Sequence, residues 1–197
     1  MPNHAAMLPA DDLADSASSL AMPTFERTTR ILAPARRVYL WHMEPGTLDR
    51  LIPPWESVAV QEAPAELCDG ARVVLLIRVG PLRLRWVAEH RGVIDRGPDG
   101  GEFIDDQISG PFRLWSHRHV VRAVGPNACV LEDRVEYELP IGRVGQWLGG
   151  WLVRRKLARM FAFRHAVTKK MTEETGATNA GAGTAGSRGV GGGGVSP

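Results

Sequence analysis

Between residues 55 and 139, apolar and polar side chains alternate in six segments, which is the pattern of β-strands with one buried face. Short glycine-containing turn signals separate these segments. Because consecutive strands joined by short turns run in opposite directions, the pattern predicts an antiparallel meander. The predicted strands cover 55–62, 71–79, 82–94, 102–108, 112–124 and 128–139.

The segments that flank this meander predict one more strand and three helical segments. Residues 24–33 alternate like a strand, and Pro34 suits the first turn of a short helix. Residues 47–52 predict a second short helix. From Val153 onward the apolar residues recur at helical spacing, which predicts a long C-terminal helix. We expect a break at Gly149-Gly150, between this helix and a shorter helical segment before it.

The predicted elements determine a fold class. A seven-stranded antiparallel sheet with one apolar face needs a cover, and the long helix is the largest element available. We therefore predict an α+β domain of the helix-grip type. In it a curved antiparallel sheet wraps around the long C-terminal helix, with two short helices after the first strand. Such an arrangement leaves space between sheet and helix, which predicts a ligand pocket.

The ends of the chain differ in composition from its middle. Residues 1–23 contain no Lys or Arg, and residues 175–197 are rich in glycine and contain no aromatic residue. Segments of this kind bury too little apolar surface to offset their ordering entropy. The sequence therefore predicts one domain over 24–174, with a disordered segment at 1–23 and a disordered tail at 175–197.

Several protein classes are not supported. The longest apolar run, Val73–Ile77, is far shorter than the roughly 20 residues that span a bilayer. No basic patch followed by an apolar stretch begins the chain, so we expect a cytoplasmic protein without a secretory signal. Nucleic-acid-binding motifs, phosphate loops, dinucleotide fingerprints and nucleophile elbows are not found in the sequence. We therefore expect no nucleic-acid partner.

Strand alternation also indicates which side chains face the pocket. The inward-facing positions include aromatic and ionisable residues beside the aliphatic ones, and apolar walls with a few polar groups are typical of a small-molecule site. Each of these residues also has a purely structural interpretation, as a core aromatic or a hydrogen-bonded core histidine. The predicted ligand-binding residues in the strands are Trp86, His90, Asp105, Gln107, Trp115, His117, His119, Asp133 and Tyr137.

Two of these positions have a second interpretation. His117 and His119 are two residues apart and have the spacing to share a metal ion, with Asp133 or His90 completing the site. Such a pair is more often explained by core histidines that hydrogen-bond within the protein, or by histidines that hydrogen-bond a ligand. The sequence analysis therefore assigns no metal and no cofactor.

Arg164 interrupts the apolar stripe of the long helix, beside Met160 and Phe161. A charge at this position would face the sheet, and burial of a charge without a partner is very costly. Two interpretations follow. Arg164 forms a salt bridge to Asp105 or Asp133, or it anchors an acidic group of the ligand.

Five motifs add a resemblance to this residue-level analysis. They are His42-x-x-Pro45-Gly46-x-x-x-Arg50-Leu51-x-Pro53-Pro54-Trp55-Glu56, Trp86-x-Ala88-Glu89-His90, Phe103-x-Asp105-x-Gln107-x-x-Gly110-Pro111-Phe112-x-x-Trp115-x-His117-x-His119, Asp133-Arg134-Val135-x-Tyr137-x-Leu139-Pro140 and Met160-Phe161-x-Phe163-Arg164-His165. Together they resemble the START/Bet v1-like superfamily of polyketide cyclases, dehydrases and lipid-transport proteins (SRPBCC). Within it, they resemble a bacterial ligand-binding group that occurs alone or joined to an epimerase-like oxidoreductase. The resemblance covers about residues 24–172 and implies the helix-grip fold.

The residues and the resemblance support three functional hypotheses. The leading one is a non-catalytic protein that binds a hydrophobic or amphipathic small molecule in the cavity between sheet and helix. The second is an enzyme of the polyketide cyclase/aromatase kind, in which histidine or aspartate moves protons in the same cavity. The third is an interaction module that uses its basic long helix to contact a partner oxidoreductase or a membrane surface.

Overall fold

The computed structural model describes residues 22–140 and 142–182, with side chains described as far as Glu174 except at 142–144, 146 and 148. This part of the chain contains seven strands, three α-helices and a short 3-10 turn at Gly97–Asp99. In chain order the elements are β1 Thr24–Ile31, α1 Ala35–Met43, α2 Thr47–Leu51, β2 Val58–Glu62, β3 Arg72–Val79, β4 Leu82–Asp95, β5 Gly100–Ser109, β6 Leu114–Gly125, β7 Ala128–Glu138 and α3 Gly142–Ala182.

The strands form one antiparallel sheet in the order β1-β7-β6-β5-β4-β3-β2. This arrangement confirms the predicted meander and adds the pairing of the first strand with the last. Among the strands, the largest boundary difference is at β2, which begins at Val58 and not at residue 55. The preceding residues belong to a turn in which the backbone N–H of Glu56 donates to the carbonyl of Pro53 at 2.9 Å.

Helix α3 is continuous from Gly142 to Ala182, so the predicted break at Gly149-Gly150 was wrong. Glycine weakens a helix by about 1 kcal/mol relative to alanine, but it does not forbid helical geometry. A Cβ atom at Gly149 would lie 3.4 Å from a methyl group of Leu139, and one at Gly145 would lie 2.0 Å from the carbonyl oxygen of Pro140. The missing side chains therefore allow the helix to pack closely against the end of β7.

The helix also continues to Ala182, into the segment that was predicted to form a flexible tail. The rest of that tail, 183–197, and residues 1–21 of the predicted N-terminal segment lie outside the described residues. Among the described helices, none is both long and apolar enough to cross a membrane.

The buried core divides into two apolar clusters. One lies under α1 and is built from Ile31, Ala33, Ala35, Val38, Tyr39, Phe103, Val121, Cys129 and Leu131. The other lies under α3 and is built from Phe25, Trp115, Val135, Tyr137, Leu139, Leu157 and Phe161. Along β6 and β7, the residues between these clusters are His117, His119 and Asp133, all buried. A polar layer therefore separates the two apolar parts of the core.

Candidate functional site

A cavity of about 400 Å³ lies between the sheet, α2 and α3. This volume is in the range of small-molecule pockets. Most of its wall is apolar, and the lining residues come from the sheet, from α3 and from the segment between residues 42 and 67, which contains α2. The principal apolar residues are Val73, Leu75, Ile77, Leu84, Trp86, Trp115, Val153, Leu157 and Met160.

Strand register brings the polar residues of the site together. His90 in β4 lies opposite Asp105 in β5, and Asp105 lies opposite His117 in β6. His119 in β6 lies opposite Asp133 in β7. Because residues at even spacing share one face of a sheet, these side chains from four neighbouring strands all point inward.

Asp133 is the buried carboxylate of this group, and it is contacted by histidines from β6 and α3. His117 donates from Nε2 to its Oδ1 at 3.0 Å, and His165 of α3 donates from Nε2 to its Oδ2 at 2.6 Å. Because an ionised carboxylate only accepts hydrogen bonds, both N–H groups lie on Nε2. In the neutral ring, the second nitrogen of His165, Nδ1, accepts from the Thr29 hydroxyl at 2.8 Å.

Asp105 and His119 connect the group toward the cavity. Nε2 of His119 donates to Oδ2 of Asp105 at 3.2 Å, while His90 contacts Oδ1 of the same carboxylate through Nδ1. Nδ1 of His119 lies 2.8 Å from Oδ1 of Asp133 but outside hydrogen-bonding geometry. His42 of α1 donates from Nδ1 to the carbonyl of Val38 at 2.8 Å, and its ring centre is 6.3 Å from that of His119.

These side chains form what we call the histidine–aspartate centre. It contains five of the six histidines of the chain, and the sixth, His4, lies outside the described residues. The members of the centre are His42, His90, His117, His119, His165, Asp105 and Asp133.

Burial and contacts between the side chains of the centre shift their pKa values in different directions. Burial alone would lower the pKa of His119, but Asp133 and Asp105 outweigh this effect and raise the pKa to about 9. Burial lowers the pKa of His117 to about 4, and the neighbouring charge of His119 acts in the same direction. Burial also lowers the pKa of His42 to about 4. Desolvation alone would raise the pKa of both Asp105 and Asp133, yet contacts with histidines hold both pKa values below the usual range.

Arg164 lies half-buried in the cavity wall. Its Nε donates to the carbonyl of Leu51 at 3.2 Å, and its guanidinium lies 5.5 Å from the ring centre of Phe161. Among the described residues, neither Asp105 nor Asp133 is within ion-pair distance of it. Burial lowers the pKa of Arg164, and the two terminal nitrogens have no hydrogen-bond acceptor in the described part of the chain. The salt bridge considered from the sequence is therefore not formed.

The structure brings most of the predicted ligand-binding residues to the cavity. Those in its wall are Trp86, His90, Asp105, Trp115, His117, His119 and Arg164. Asp133, Tyr137 and Gln107 lie outside the cavity wall. Asp133 is enclosed by histidines, and Tyr137 belongs to the apolar cluster under α3. Gln107 donates to the carbonyl of Phe112 at 2.7 Å and accepts from its N–H at 3.3 Å, so it fixes the turn between β5 and β6.

The sequence analysis did not single out two members of the centre. His165 follows Leu157 and Phe161 at intervals of four residues, and Thr168 and Thr172 extend the same buried helix face. Because three of its five members are polar, this stripe does not stand out in the pattern of apolar residues. His42 stands in a quoted motif and four residues after Val38 on the buried face of α1, which was the available signal.

Comparisons with known proteins identify the fold. No family model and no curated protein sequence matches the chain. A norcoclaurine synthase from Thalictrum flavum matches with a TM-score of 0.60 and 13% identity over 79% of this chain and 96% of that chain. The Zhui aromatase/cyclase from Streptomyces sp. R1128 matches with a TM-score of 0.51 and 17% identity over 77% of this chain and 96% of that chain.

A third structure is a nucleoside-diphosphate sugar epimerase from Corynebacterium glutamicum, with a TM-score of 0.59 and 22% identity. The match covers 79% of this chain but only 30% of the epimerase chain, so the shared fold is one part of a longer protein. At these identities the likeness concerns the fold. The seven-stranded antiparallel sheet, the two short helices and the long C-terminal helix give this chain the helix-grip fold of the START/Bet v1-like superfamily.

Proposed function

We propose that this protein binds an amphipathic small molecule with an anionic group. The apolar part of the molecule lies between the sheet and α3, and its anionic group contacts Arg164. The observation that carries this proposal is a guanidinium in the wall of an otherwise mainly apolar cavity, whose two terminal nitrogens have no hydrogen-bond acceptor among the described residues.

The apolar wall supports the first half of the proposal. Trp86, Phe112 and Trp115 form a group of mutually contacting rings, with ring centres 4.9 to 5.6 Å apart. Trp86, Phe112 and Trp115 all line the cavity, opposite Leu157 and Met160 of α3. Removing an apolar ligand from water into such a site is favourable by about 25 cal/mol per Å² of buried surface.

Arg164 supports the second half. A guanidinium presents its N–H groups in a fixed fork that matches a carboxylate or phosphate. Leu51 occupies only Nε, so the outer edge of the fork is available to a ligand. Hydrogen bonds between charged groups are about twice as strong as neutral ones, so the anionic group should contribute specificity as well as affinity.

A pair of ligands that differ only in charge tests this proposal. Tetradecanoate and 1-tetradecanol would compete with the neutral dye Nile red, whose fluorescence reports occupancy of the cavity. We expect wild-type protein to bind the acid at least about 10-fold tighter than the alcohol, which is about 1.4 kcal/mol. In Arg164→Gln this preference should disappear while alcohol binding remains.

Arg159→Gln is the matched control, because Arg159 is an exposed arginine of the same helix, 4.3 Å from the ring centre of Trp55. This variant should keep the preference for the acid. Failure of both compounds to displace the dye, or an unchanged preference in Arg164→Gln, would contradict the proposal.

A polyketide cyclase-like activity is the second candidate. Three ionisable residues that line the cavity favour it, namely Asp105, His117 and His119, because such groups can move protons between keto and enol forms. Incubation of 1-phenyl-1,3-butanedione in D₂O, followed by NMR, would measure exchange at the carbon between the two carbonyl groups. Exchange faster with wild type than with His117→Gln would support an enzyme, and equal rates would reject this candidate.

Two further predictions concern the surroundings of the protein. The epimerase from Corynebacterium glutamicum contains a region with this fold, and that observation supports an oxidoreductase as a partner. Co-purification with an epimerase-like oxidoreductase at low salt would test it. The cytoplasmic location stays a prediction from the sequence.

A further inference from the structure

We propose that Asp105, His117 and His119 bind one divalent transition-metal ion, such as Zn²⁺ or Co²⁺, at the cavity wall. This inference does not rest on the proposed ligand. It follows from the arrangement of nitrogen and oxygen atoms in the histidine–aspartate centre.

The distances are those of a site that needs little movement to close around an ion. One ligand atom from each of the three residues lies within 4.8 Å of the other two. Nε2 of His119 and Oδ2 of Asp105 are already 3.2 Å apart. Two imidazoles and one carboxylate are a donor set typical of Zn²⁺ and other divalent first-row metals.

The outer contacts orient both histidines as metal ligands. Histidines that bind metals almost always donate their other ring N–H to a carboxylate, a carbonyl or water. His117 donates from Nε2 to Asp133, which leaves the lone pair on Nδ1, and Nδ1 has no hydrogen-bond partner among the described groups. Nδ1 of His119 lies 2.8 Å from the same carboxylate but outside hydrogen-bonding geometry, and Nε2, which contacts Asp105, is the nitrogen that would lose its proton to bind the metal.

Asp105 is held in the same manner. His90 contacts its Oδ1, so Oδ2 remains directed toward His119. Each of the three proposed ligands therefore has a buried partner on its far side. Such partners fix the ligand orientation, and their removal typically weakens metal binding by about 10- to 100-fold.

Charge and burial point to the same assignment. The carboxylates of Asp133, which is buried, and Asp105, which is half-buried, together balance the charge of a divalent ion, and Arg164 of α3 contacts neither of them. Grouping so many ionisable side chains in a core is a poor way to gain stability, because apolar packing of the same volume is often as stable or more stable. Because all three proposed ligands line the cavity, the remaining coordination positions face it and can accept an oxygen atom of a bound molecule.

A direct binding measurement on the untagged full-length chain tests the site. The protein is treated with a chelator, separated from it and titrated with CoCl₂, while visible absorption records the coordination of Co²⁺. We expect saturation at one Co²⁺ per chain. Competition by Zn²⁺ should remove the signal, whereas Mg²⁺, which prefers oxygen ligands, should not compete. Absence of saturable binding in the wild type would overturn the proposal.

Variants then locate the ion. Asp105→Asn and His117→Asn should each weaken Co²⁺ binding at least about 10-fold. Asp106→Asn is the matched control, since Asp106 lies on the opposite face of the same strand, pairs with Arg91 and does not line the cavity, and it should bind as the wild type does. Unchanged binding in folded Asp105→Asn would place the ion elsewhere and reject the site. If these variants do not fold, X-ray absorption at the zinc edge of the wild type decides, because a spectrum without imidazole ligands rejects the site.

Discussion

The histidine–aspartate centre and the apolar cluster under α3 are built on the same elements, yet they differ in chemistry. In β6 the buried residue changes from Trp115 to His117, and in β7 from Val135 to Asp133, within one inward step of the strand. In α3 it changes from Phe161 to His165 within about one helical turn. The apolar cluster supplies the stabilisation expected of a core. The centre occupies similar positions with groups that stabilise the fold only while every partner is present.

The largest expected effect comes from removing the carboxylate at the middle of the centre. Asp133→Asn removes the negative charge and replaces one of the two oxygen atoms that face His117, His119 and His165 with an NH2 donor, so we expect a loss of about 3 to 5 kcal/mol in the free energy of unfolding. Urea denaturation measures it. Glu136→Gln in the same strand removes an exposed carboxylate paired with Arg134 and should change stability by less than about 1 kcal/mol. An equal loss of stability in the two variants would show that the carboxylate of Asp133 contributes no more to stability than a carboxylate at the surface.

Acid should destabilise the centre but not the apolar cluster. With metal removed by a chelator, His42 has a pKa of about 4 in the folded protein against 6.5 for the ordinary group. The unfolded chain therefore binds the proton first, and stability falls as the pH drops from 6.5 toward 4, by up to about 3 kcal/mol for such a histidine.

Urea denaturation at several pH values measures this slope, and His42→Gln should reduce it. His117 acts in the same direction as His42. His119, with its raised pKa, stabilises the fold below 6.5, and this contribution is lost as the pH rises toward 9. An acid slope that is identical in His42→Gln and wild type would contradict this assignment.

Filling the apolar part of the cavity should weaken fatty-acid binding without affecting metal binding at the histidine–aspartate centre. Leu84→Trp adds volume where an apolar chain would lie, so tetradecanoate should bind at least about 10-fold more weakly, or about 1.4 kcal/mol. Co²⁺ binding at the other end should be unchanged. Arg85→Trp, on the outer face of the same strand, is the control. Simultaneous loss of fatty-acid and Co²⁺ binding in a folded Leu84→Trp protein would mean that the regions are not independent.

The smallest expected effect concerns a residue beside the cavity. Gln107→Ala removes two hydrogen bonds to the backbone of Phe112 and should lower stability by about 1 kcal/mol. Because Gln107 does not line the cavity, the affinity for tetradecanoate should stay as in the wild type. A loss of affinity without a loss of stability would instead assign Gln107 to the ligand, as the sequence suggested.

Strand alternation predicted most of the side chains that the sheet contributes to the cavity wall. A residue that faces inward in a period-two segment stays inward whenever the register is correct, which is why Trp86, His90, Trp115, His117 and His119 were all placed at the pocket. The fold followed from the order of elements, since a meander and one long amphipathic helix leave few ways to cover an apolar face.

The remaining features depended on contacts between distant segments. Helix α3 continues through its glycines, where it packs closely against Leu139 and Pro140. Helix propensity, which is a local property, does not predict such a contact. Arg164 donates to the carbonyl of Leu51 and not to a carboxylate of the sheet, because its side chain lies next to α2. His165 was missed since its partners, Thr29 and Asp133, belong to strands that only the pairing of β1 with β7 brings together.

The hydrogen bond between His165 and Thr29 joins residues 136 positions apart. Closing so long a loop is slow and entropically unfavourable, so this contact forms only when the first strand, the last strand and the final helix have all assembled. Any ion or small molecule that requires the complete centre then meets a chain that has already folded. Such a ligand would leave the folding rate unchanged and would slow unfolding, so that occupancy prolongs the lifetime of the native protein.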